Sequence, residues 1–310
     1  MTTPLVFDAS FEGAPGLPQA FGDGITRVTA ANPSPLTFRG TNSYIVESQG
    51  QAAIIDPGPI DAAHEAALAD ALGRNRLAAI LVTHTHKDHA PLAARLSQRF
   101  GAPVIGCAPH RLARPYRPGD PDVDAISDLN YAPERILADG DRVDVGEAVL
   151  TALETPGHTD NHLAFRLDTP RGPAIFTGDV VMAWSTTVVI PPEGSMAAYF
   201  SSIERLKAEN ALVFHPGHGA PVRDPAGYLD GLRAHRQARE ASALAALRAQ
   251  DGPARLQDLL ATVYPGLDPK LLIAAGHSLL AHLEHLEEQG LARRIAQDAS
   301  ALWTAGASPP

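Results

Sequence analysis

Residues 83–89 are Thr-His-Thr-His-Lys-Asp-His, and this heptapeptide is the most informative stretch of the 310-residue chain. It contains three imidazoles and one carboxylate within six positions, namely His84, His86, Asp88 and His89. Histidines this close repel one another when protonated, and buried polar side chains need partners. A divalent metal ion supplies a partner, because neutral imidazole and carboxylate are both ligands of zinc and similar ions. The heptapeptide therefore predicts a metal site.

The segments on either side of the heptapeptide predict a strand and a helix. Residues 77–83 form a short apolar run with β-branched residues, which is typical of a buried strand. Residues 91–100 have helical periodicity, and Pro91 falls in the first turn, where proline is tolerated. The ligands then lie on a loop that leaves the end of a strand. Open α/β sheets tend to bind their ligands at such places.

Three further candidate ligands each follow a strand-like run and lie next to glycine, which lets the backbone approach a ligand closely. They are His158 after residues 148–153, Asp179 after residues 174–176, and His218 after residues 211–214. One such residue would be unremarkable in a turn. The repeated order of strand, turn and ligand predicts that all three contribute to the metal site.

The complete pattern resembles the metallo-β-lactamase superfamily of hydrolases. It consists of H-x-H-x-D-H, a Gly-His turn, Gly-Asp and Pro-Gly-His-Gly. Over roughly residues 36–250, the resemblance implies an α/β fold built as a four-layer αββα sandwich. It also implies two metal sites joined by a carboxylate: His84, His86 and His158 for the first, Asp88, His89 and His218 for the second, and Asp179 as the bridge.

A narrower resemblance is to the lactamase-β-like protein 2 group of that superfamily. It rests on Thr155-Pro-Gly-His-Thr-Asp-Asn-His162, on Ser185-Thr-Thr-Val188 and on His235-Arg236. That group carries a small C-terminal winged-helix-type domain and includes an endoribonuclease that acts on single-stranded RNA. Asp56 lies in a segment that also resembles the superfamily. We expect it to orient a ligating imidazole through the free ring nitrogen rather than to bind metal itself.

The chain is predicted to form two domains, a catalytic domain over residues 1–250 and a small helical winged-helix-type domain over residues 251–310. A long helix is predicted from Asp224 to Gln250, and Asp251-Gly-Pro253 ends it. The later elements are two helices over residues 256–260 and 271–286, and a β-wing over residues 291–303.

The second of these later helices has a predicted apolar face and an acidic remainder. Its apolar face consists of Leu272, Leu279, Leu283 and Leu286. The helix and its start carry one basic residue, Lys270, and three acidic residues, Glu284, Glu287 and Glu288. This negative charge favours packing or homo-oligomer formation over nucleic-acid binding. His277, His282 and His285 share the helix. A metal site there is not expected, because no carboxylate or cysteine is positioned along the sequence to complete it.

Residues 109–133 interrupt the strand and helix pattern with several prolines. They predict a long surface insertion with partial helix, of a kind that often covers a site. Its arginines, Arg111, Arg114 and Arg117, are expected to be solvated, with contact to an anionic substrate as the alternative.

Bulk properties restrict the classes of partner. The net charge of −10 disfavours long polyanions, because Lys and Arg contacts to phosphate dominate nucleic-acid affinity. No apolar run approaches the roughly 20 residues needed to span a membrane, and residues 1–8 show no secretory signal. The single cysteine, Cys107, cannot form an internal disulfide and is expected to be a buried filler. We therefore expect a cytoplasmic protein with no membrane partner.

The predicted cofactor is a pair of divalent metal ions. Five histidines and two aspartates without sulfur favour zinc, with iron or manganese as alternatives. Two such ions can share a bridging hydroxide at neutral pH. Asp88 and Asp179 are the predicted catalytic carboxylates, since Asp88 would orient the nucleophile and Asp179 would fix the metal separation. His162 remains open between substrate contact and support of a ligand.

Three functions follow from these residues. The leading hypothesis is a binuclear hydrolase of a small ester, thioester or lactone-like substrate. The first alternative is a metal-dependent endoribonuclease acting on single-stranded RNA with the same site. The second alternative is a non-catalytic winged-helix regulatory or binding protein. Intact ligand pairs argue against this last alternative, because structural zinc sites are usually closed by four ligands.

Overall fold

The computed structural model of the chain describes residues 5–295 and 301–306. Fifteen strands lie within these residues: β1 Gln19–Gly22, β2 Ile25–Thr29, β3 Asn42–Ser48, β4 Gln51–Ile55, β5 Arg76–Val82, β6 Val104–Gly106, β7 Arg135–Ile136, β8 Arg142–Val145, β9 Ala148–Glu154, β10 Leu163–Thr169, β11 Gly172–Gly178, β12 Val213–Pro216, β13 Ala254–Arg255, β14 Ala292–Arg294 and β15 Leu302–Ala305. The α-helices in the same residues are α1 Ala62–Leu72, α2 Ala93–Phe100, α3 Met196–Ala208, α4 Pro225–Arg248, α5 Leu256–Val263 and α6 Leu272–Glu288.

Two β-sheets form the middle of the larger unit. The first has the order β1-β2-β3-β4-β5-β6-β7, antiparallel as far as β4 and parallel from β4 to β7. The second has the order β12-β11-β10-β9-β8, in which only β11 and β12 are parallel. Each parallel connection in the first sheet up to β6 passes through a helix, as parallel strands require.

Alternating side chains on β10 and β11 explain the four layers. Phe165 and Phe176 pack against apolar residues of the first sheet, and the same cluster includes Leu68 of α1 and Leu96 of α2. Their neighbour Ile175 points to the opposite face and packs with a cluster formed mainly by α3 and α4. Because successive strand residues face opposite sides, the second sheet is apolar on both faces. The predicted αββα sandwich is confirmed.

The insertion over residues 109–133 differs from its prediction in one respect. It contains turns but no helix, so the predicted partial helix is wrong. Its prolines remove backbone donors and restrict the preceding residues, which opposes helical hydrogen bonding. The insertion does lie against the heptapeptide, since Asp128 N donates to Thr85 O at 2.6 Å and Lys87 N donates to Ile126 O at 2.9 Å.

The arginines of the insertion bind acidic side chains of the protein itself, so the expectation that they are solvated is wrong for Arg114. Arg114 donates to both carboxylate oxygens of Asp120, at 2.6 and 2.9 Å, and also contacts Glu284 on α6. Arg117 lies 3.6 Å from Glu284, and the more exposed Arg111 lies 2.5 Å from Asp160. The pairs with Glu284 connect the insertion to α6, and the pair with Asp160 connects it to the loop between β9 and β10.

The C-terminal unit combines α5, α6 and a three-stranded antiparallel sheet in the order β13-β15-β14. Its core contains Leu279, Leu283 and Leu286 of α6 together with Trp303, all of them buried. The strands of the predicted wing are present, although residues 296–300 between them lie outside the described residues. Side chains near the end of α4 also join this core, so α4 is shared by both units. The domain boundary near residue 251 remains a prediction.

The predicted buried face of α6 holds for three leucines and is wrong for the fourth. Leu272 is 40 % exposed, next to the 75 % exposed Ile273, because the elements that cover the helix do not reach its first turn. Most of the rest of α6 is buried against α3, α4 and α5. A helix packed in this way cannot enter a nucleic-acid groove without leaving its place. Among the described residues, every helix is too short or too polar to cross a membrane.

We predict that Leu283→Ala destabilises the C-terminal core by about 2–5 kcal/mol, the usual range for a fully buried leucine. Ile273→Ala on the same helix is the matched control and should change stability by less than about 0.5 kcal/mol, because it removes only exposed surface. Urea unfolding followed by tryptophan fluorescence measures both, since Trp303 lies in that core. Equal effects would show that α6 is not packed as described.

Candidate metal centre

Strand ends from both sheets bring the predicted ligands to one edge of the sandwich. The heptapeptide follows β5, His158 follows β9, Asp179 follows β11 and His218 follows β12. The loop of His218 crosses to the first sheet, where Asn42 N donates to Gly217 O at 2.7 Å and Tyr44 OH donates to Pro216 O at 2.8 Å. All seven predicted ligands are therefore close together.

Three imidazoles converge in the first half of the centre. The Nδ1 atom of His86 lies 3.1 Å from Nε2 of His84 and 3.1 Å from Nε2 of His158. A tetrahedral ion with Zn–N distances of 2.0–2.1 Å requires ligand nitrogens to be separated by roughly 3.3 Å. The three nitrogens are thus spaced as ligands of one ion, and they form one of three groups whose donor atoms lie within 4.8 Å of one another.

The second half of the centre combines two imidazoles with carboxylates. Nε2 of His89 lies 3.3 Å from Nε2 of His218, and Asp88 Oδ2 lies 3.2 Å from the latter atom. Asp179 lies between the halves, with Oδ2 3.2 Å from His218 Nε2 and 3.8 Å from His158 Nε2. Its Oδ1 atom is buried and has no hydrogen-bond partner within the described residues. A buried carboxylate oxygen without a donor needs a cation, so the donor set fits two metal ions.

Each of the five imidazoles has a hydrogen-bond partner at its outer nitrogen, which leaves the inner nitrogen free to accept a metal. The five pairs are His84 Nδ1 with Thr83 Oγ1 at 2.9 Å, His86 Nε2 with Glu193 Oε2 at 3.0 Å, His89 Nδ1 with Asp56 Oδ2 at 2.9 Å, His158 Nδ1 with Val188 O at 2.7 Å, and His218 Nδ1 with Gly40 O at 3.2 Å. Carbonyl and carboxylate acceptors require the outer nitrogen of four of these rings to carry the proton. For His84, the Thr83 hydroxyl donates to Asp56 Oδ2 and therefore accepts from Nδ1. The surrounding structure therefore selects the tautomer that metal binding needs.

Asp56 has the orienting position that the sequence predicts. Besides His89, it accepts from Thr83 N and Thr83 Oγ1, both at 2.8 Å. Of the three groups of donor atoms that lie within 4.8 Å of one another, the one not yet described contains Asp56, His84 and His89. Since these Asp56 contacts involve the outer nitrogen of His89 and the Thr83 hydroxyl bound to His84, we interpret the group as support for the centre and not as a third site.

Glu193 is the residue that sequence reasoning missed. It is fully buried in a Pro-Pro-Glu-Gly segment, and besides His86 it contacts Ser127 Oγ at 3.1 Å and His110 Nδ1 at 3.2 Å. Burial alone would raise the pKa of Glu193, yet hydrogen bonds from His110 and His86 lower it to about 2. No local pattern marks this residue, because its partner His86 is 107 positions away.

His162 contacts the backbone of a proposed metal ligand. It is buried, its Nε2 accepts from Asp179 N at 3.1 Å, and its Nδ1 contacts Thr155 Oγ1 at 2.9 Å. Burial lowers the pKa of His162 well below its usual value, so the ring stays neutral and can accept. Of the two interpretations left open by the sequence, ligand support agrees with these contacts.

Residues 185–188 link the centre to α4. Thr187 Oγ1 donates to Asp179 O at 2.6 Å, and Val188 O is the acceptor for His158. Arg236 on α4 is 2 % exposed and donates to Thr187 O. This chain of contacts gives a physical reason for the Ser-Thr-Thr-Val and His-Arg segments on which the narrower resemblance rests.

The two halves of the centre have opposite electrostatics. Burial, and then the neighbouring His86, lowers the pKa of His158 to about 4. Burial by itself also lowers the pKa of His218, but Asp179 and Asp88 raise it to about 9. At neutral pH His158 is a neutral donor, whereas a metal ion that enters the second half would displace a proton from His218. Metal affinity of the second half should therefore fall as pH falls.

The backbone next to His218 is closely adapted to the centre. A Cβ atom at Gly217 would lie 2.5 Å from Asp179 Oδ1 and 2.6 Å from His89 Cε1. Any side chain at this position would therefore displace a carboxylate or an imidazole of the centre. The prediction that Cys107 is buried is confirmed, and burial raises the pKa of its thiol. His215, on the strand before His218, is also buried and packs among aromatic rings.

Comparison with known proteins gives two family matches. A model described as "Metallo-beta-lactamase superfamily" matches residues 36–218, and one described as "Beta-lactamase associated winged helix domain" matches residues 256–303. The resemblances stated from the sequence are confirmed at this level.

Individual relatives and structures agree with these matches. A "Beta-lactamase-like protein 2 homolog" of Drosophila melanogaster is 26% identical over 278 residues, which cover 87% of this chain and 89% of the relative. An "Atrochrysone carboxyl ACP thioesterase" of Aspergillus chevalieri is 30% identical over 229 residues, covering 72% of this chain and 66% of the relative. The crystal structure of a metallo-beta-lactamase family protein from Thermus thermophilus superposes with a TM-score of 0.74 at 25% identity, covering 92% of this chain and all of that one.

We predict that Glu193→Gln weakens metal binding at the first half of the centre by about 10- to 100-fold, the usual effect of losing a carboxylate that orients a ligating imidazole. Glu204→Gln, a half-exposed carboxylate paired with Arg233, is the control and should leave affinity unchanged. Competition with a metal chelator measures both variants. If Glu193→Gln retains wild-type affinity while remaining folded, the orienting contact is unimportant.

Proposed function

The chain belongs to the metallo-beta-lactamase superfamily of hydrolases, and on that basis we propose that it is a two-metal hydrolase of a small ester or thioester. The proposed metal ligands are His84, His86, His158, Asp88, His89, His218 and Asp179. The observation that carries the proposal is the set of five oriented imidazoles together with the buried Asp179 carboxylate, whose Oδ1 atom has no hydrogen-bond partner among the described residues and lies 3.5 Å from His89 Nε2. Two zinc ions, when bound, would lower the pKa of a water molecule and polarise the substrate carbonyl.

The two carboxylates Asp179 and Asp88 have different proposed roles. Asp179 keeps the two halves in register, since its backbone is bound by His162 and Thr187 while its carboxylate contacts histidines of both. Asp88 is the most exposed of the proposed ligands, with 27% of its side chain accessible. Thr41 Oγ1 donates to Asp88 Oδ2 at 3.3 Å. We assign Asp88 to orient the attacking water and accept its proton, because it lies where substrate can approach.

A thioester is the favoured substrate class. A relative with 30% identity carries the name of an acyl carrier protein thioesterase, which supports this chemistry for the present chain. A lactone-like substrate is retained as an alternative, because its hydrolysis also begins with attack of water on a carbonyl carbon. We retain zinc as the preferred metal from the nitrogen and oxygen donor set, with iron and manganese as alternatives.

The endoribonuclease alternative has less support from the described residues. The net charge is −10, most of α6 is buried, and Arg114 and Arg117 contact acidic side chains. A ribonuclease needs free cationic groups along the path of the phosphate backbone. Those features favour a small substrate.

We predict that Asp179→Asn reduces metal content from about two ions per chain to about one or fewer, and reduces kcat/KM more than His158→Ala does. The reason is that this one carboxylate contacts histidines of both halves, whereas His158 belongs to one. Elemental analysis of protein prepared without chelators measures the metal, and initial rates measure the activity. Wild-type metal content below one ion per chain would contradict the two-metal proposal.

A substrate panel separates the two enzyme hypotheses. We expect zinc-loaded protein to hydrolyse small thioesters with a kcat/KM that changes less than twofold between about 50 and 200 mM salt, since a neutral substrate releases no counterions. Cleavage of single-stranded RNA should be weak or absent. RNA cleavage that is lost in Asp88→Ala and decreases steeply with salt would replace the thioesterase proposal with the ribonuclease one.

A further inference from the structure

A pocket of about 240 Å³ lies where the catalytic unit meets the C-terminal helices. From the catalytic unit its walls include Leu36, Trp184 and Val188, and from the C-terminal unit they include Tyr264, Leu267 and Leu271. Three of the exposed large apolar side chains of the described residues, Phe7, Leu36 and Leu271, belong to its lining. Exposed apolar side chains gathered around one concave surface commonly mark a binding site.

The walls of this pocket belong to loops that contact residues of the metal centre. Val188 lines the pocket, and its carbonyl is the acceptor for His158 Nδ1. Leu36 lies four residues before Gly40, whose carbonyl is the acceptor for His218 Nδ1. Phe38 and Trp184 stack at 4.9 Å with an interplanar angle of 12°, which joins the two walls. A molecule in the pocket would therefore lie beside the backbone that orients two of the proposed ligands.

The charge of the lining is unlike that of the whole chain. The described lining contains His235, Arg236 and Arg239 but no aspartate or glutamate, although the chain carries a net charge of −10. Arg236 and Arg239 are already engaged, with Thr187 O and Val263 O respectively. The pocket is thus apolar and acid-free, and its volume is below the roughly 300–1,000 Å³ of sites for drug-sized molecules. Such a pocket suits a hydrocarbon chain or single ring and is too small and apolar for a nucleotide.

We propose that this pocket binds the apolar acyl group of the substrate, so that the C-terminal unit supplies part of the specificity site. This inference rests on the proposed thioester hydrolysis and deepens it. The proposal requires the acyl group to reach the metal centre past residues 184–188, whose Thr187 hydroxyl and Val188 carbonyl contact Asp179 and His158. Selectivity should then increase with acyl length by about fourfold per buried methylene, until the pocket is full.

The test uses two pocket variants, each with a matched control. Ala274→Phe fills the pocket from α6, and the control is Ile273→Phe on the adjacent exposed position, which is not in the described lining. Leu36→Asp introduces a carboxylate from the catalytic unit, and the control is Leu17→Asp at a comparably exposed apolar position outside the lining. The full-length chain is used throughout, and circular dichroism checks that each variant is folded.

Two readouts distinguish this inference from the proposed function. The first is octanoate binding, followed by the fluorescence of Trp184; the other tryptophan, Trp303, is fully buried in a different core. The second is the ratio of kcat/KM for octanoyl and acetyl thioesters of N-acetylcysteamine. We expect both pocket variants to weaken octanoate binding and to lower the ratio by at least about tenfold, while the controls change each by less than twofold.

The outcomes that overturn the inference are different from those that overturn the proposed function. If thioesters are hydrolysed but each pocket variant matches its control in binding and in chain-length ratio, the pocket does not bind the acyl group. If wild-type protein fails to bind octanoate, the inference is also wrong. If no thioester of any length is hydrolysed by metal-loaded protein, the proposed function fails, and the binding measurement alone then decides whether the pocket accepts an apolar chain.

Discussion

The structure depends on the convergence of five imidazoles and two carboxylates at one buried edge of a sandwich. Ring nitrogens lie 3.1–3.3 Å apart, and Asp179 Oδ1 has no donor within the described residues. Burying so many polar groups is unfavourable unless each finds a partner. Metal ions can satisfy the inner atoms, while the protein satisfies the outer ones. Most of the surrounding residues therefore orient the proposed metal ligands, and few are placed to take part in the proposed reaction itself.

The αββα architecture suits this constraint because it brings the ends of strands from two sheets to the same edge. The heptapeptide comes from the first sheet, whereas His158, Asp179 and His218 come from the second. Apolar residues on both faces of the second sheet hold it between the first sheet and the pair α3 and α4. The spacing of the donor atoms is therefore set by the packing of two layers, and small errors in that packing would separate the two halves of the centre.

The C-terminal unit is integrated with the catalytic unit through α4 and through ion pairs. Side chains of α4 join the apolar clusters of both units, and Arg114 of the insertion contacts Glu284 of α6. On α6, His282 and His285 contact Glu240 of α4 at 3.4 and 2.7 Å. Glu240 is 42 and 45 positions from these histidines along the chain, so no local pattern identifies it as their partner. Their contacts with α4 give them a structural role, and the interface they help to form is where the proposed acyl pocket lies.

The sequence by itself determined the strand–loop–helix around the heptapeptide, the positions of all seven candidate ligands and the presence of a second domain. These features are local: apolar runs, adjacent glycines and short spacings record them within a few residues. Only the tertiary structure decided that Glu193 and the Val188 carbonyl orient His86 and His158, that Leu272 is exposed, and that Arg114 is paired. Each of these depends on groups distant along the chain or on where a neighbouring element ends. These contacts and exposures are set by packing between layers, and no periodicity in a single segment encodes them.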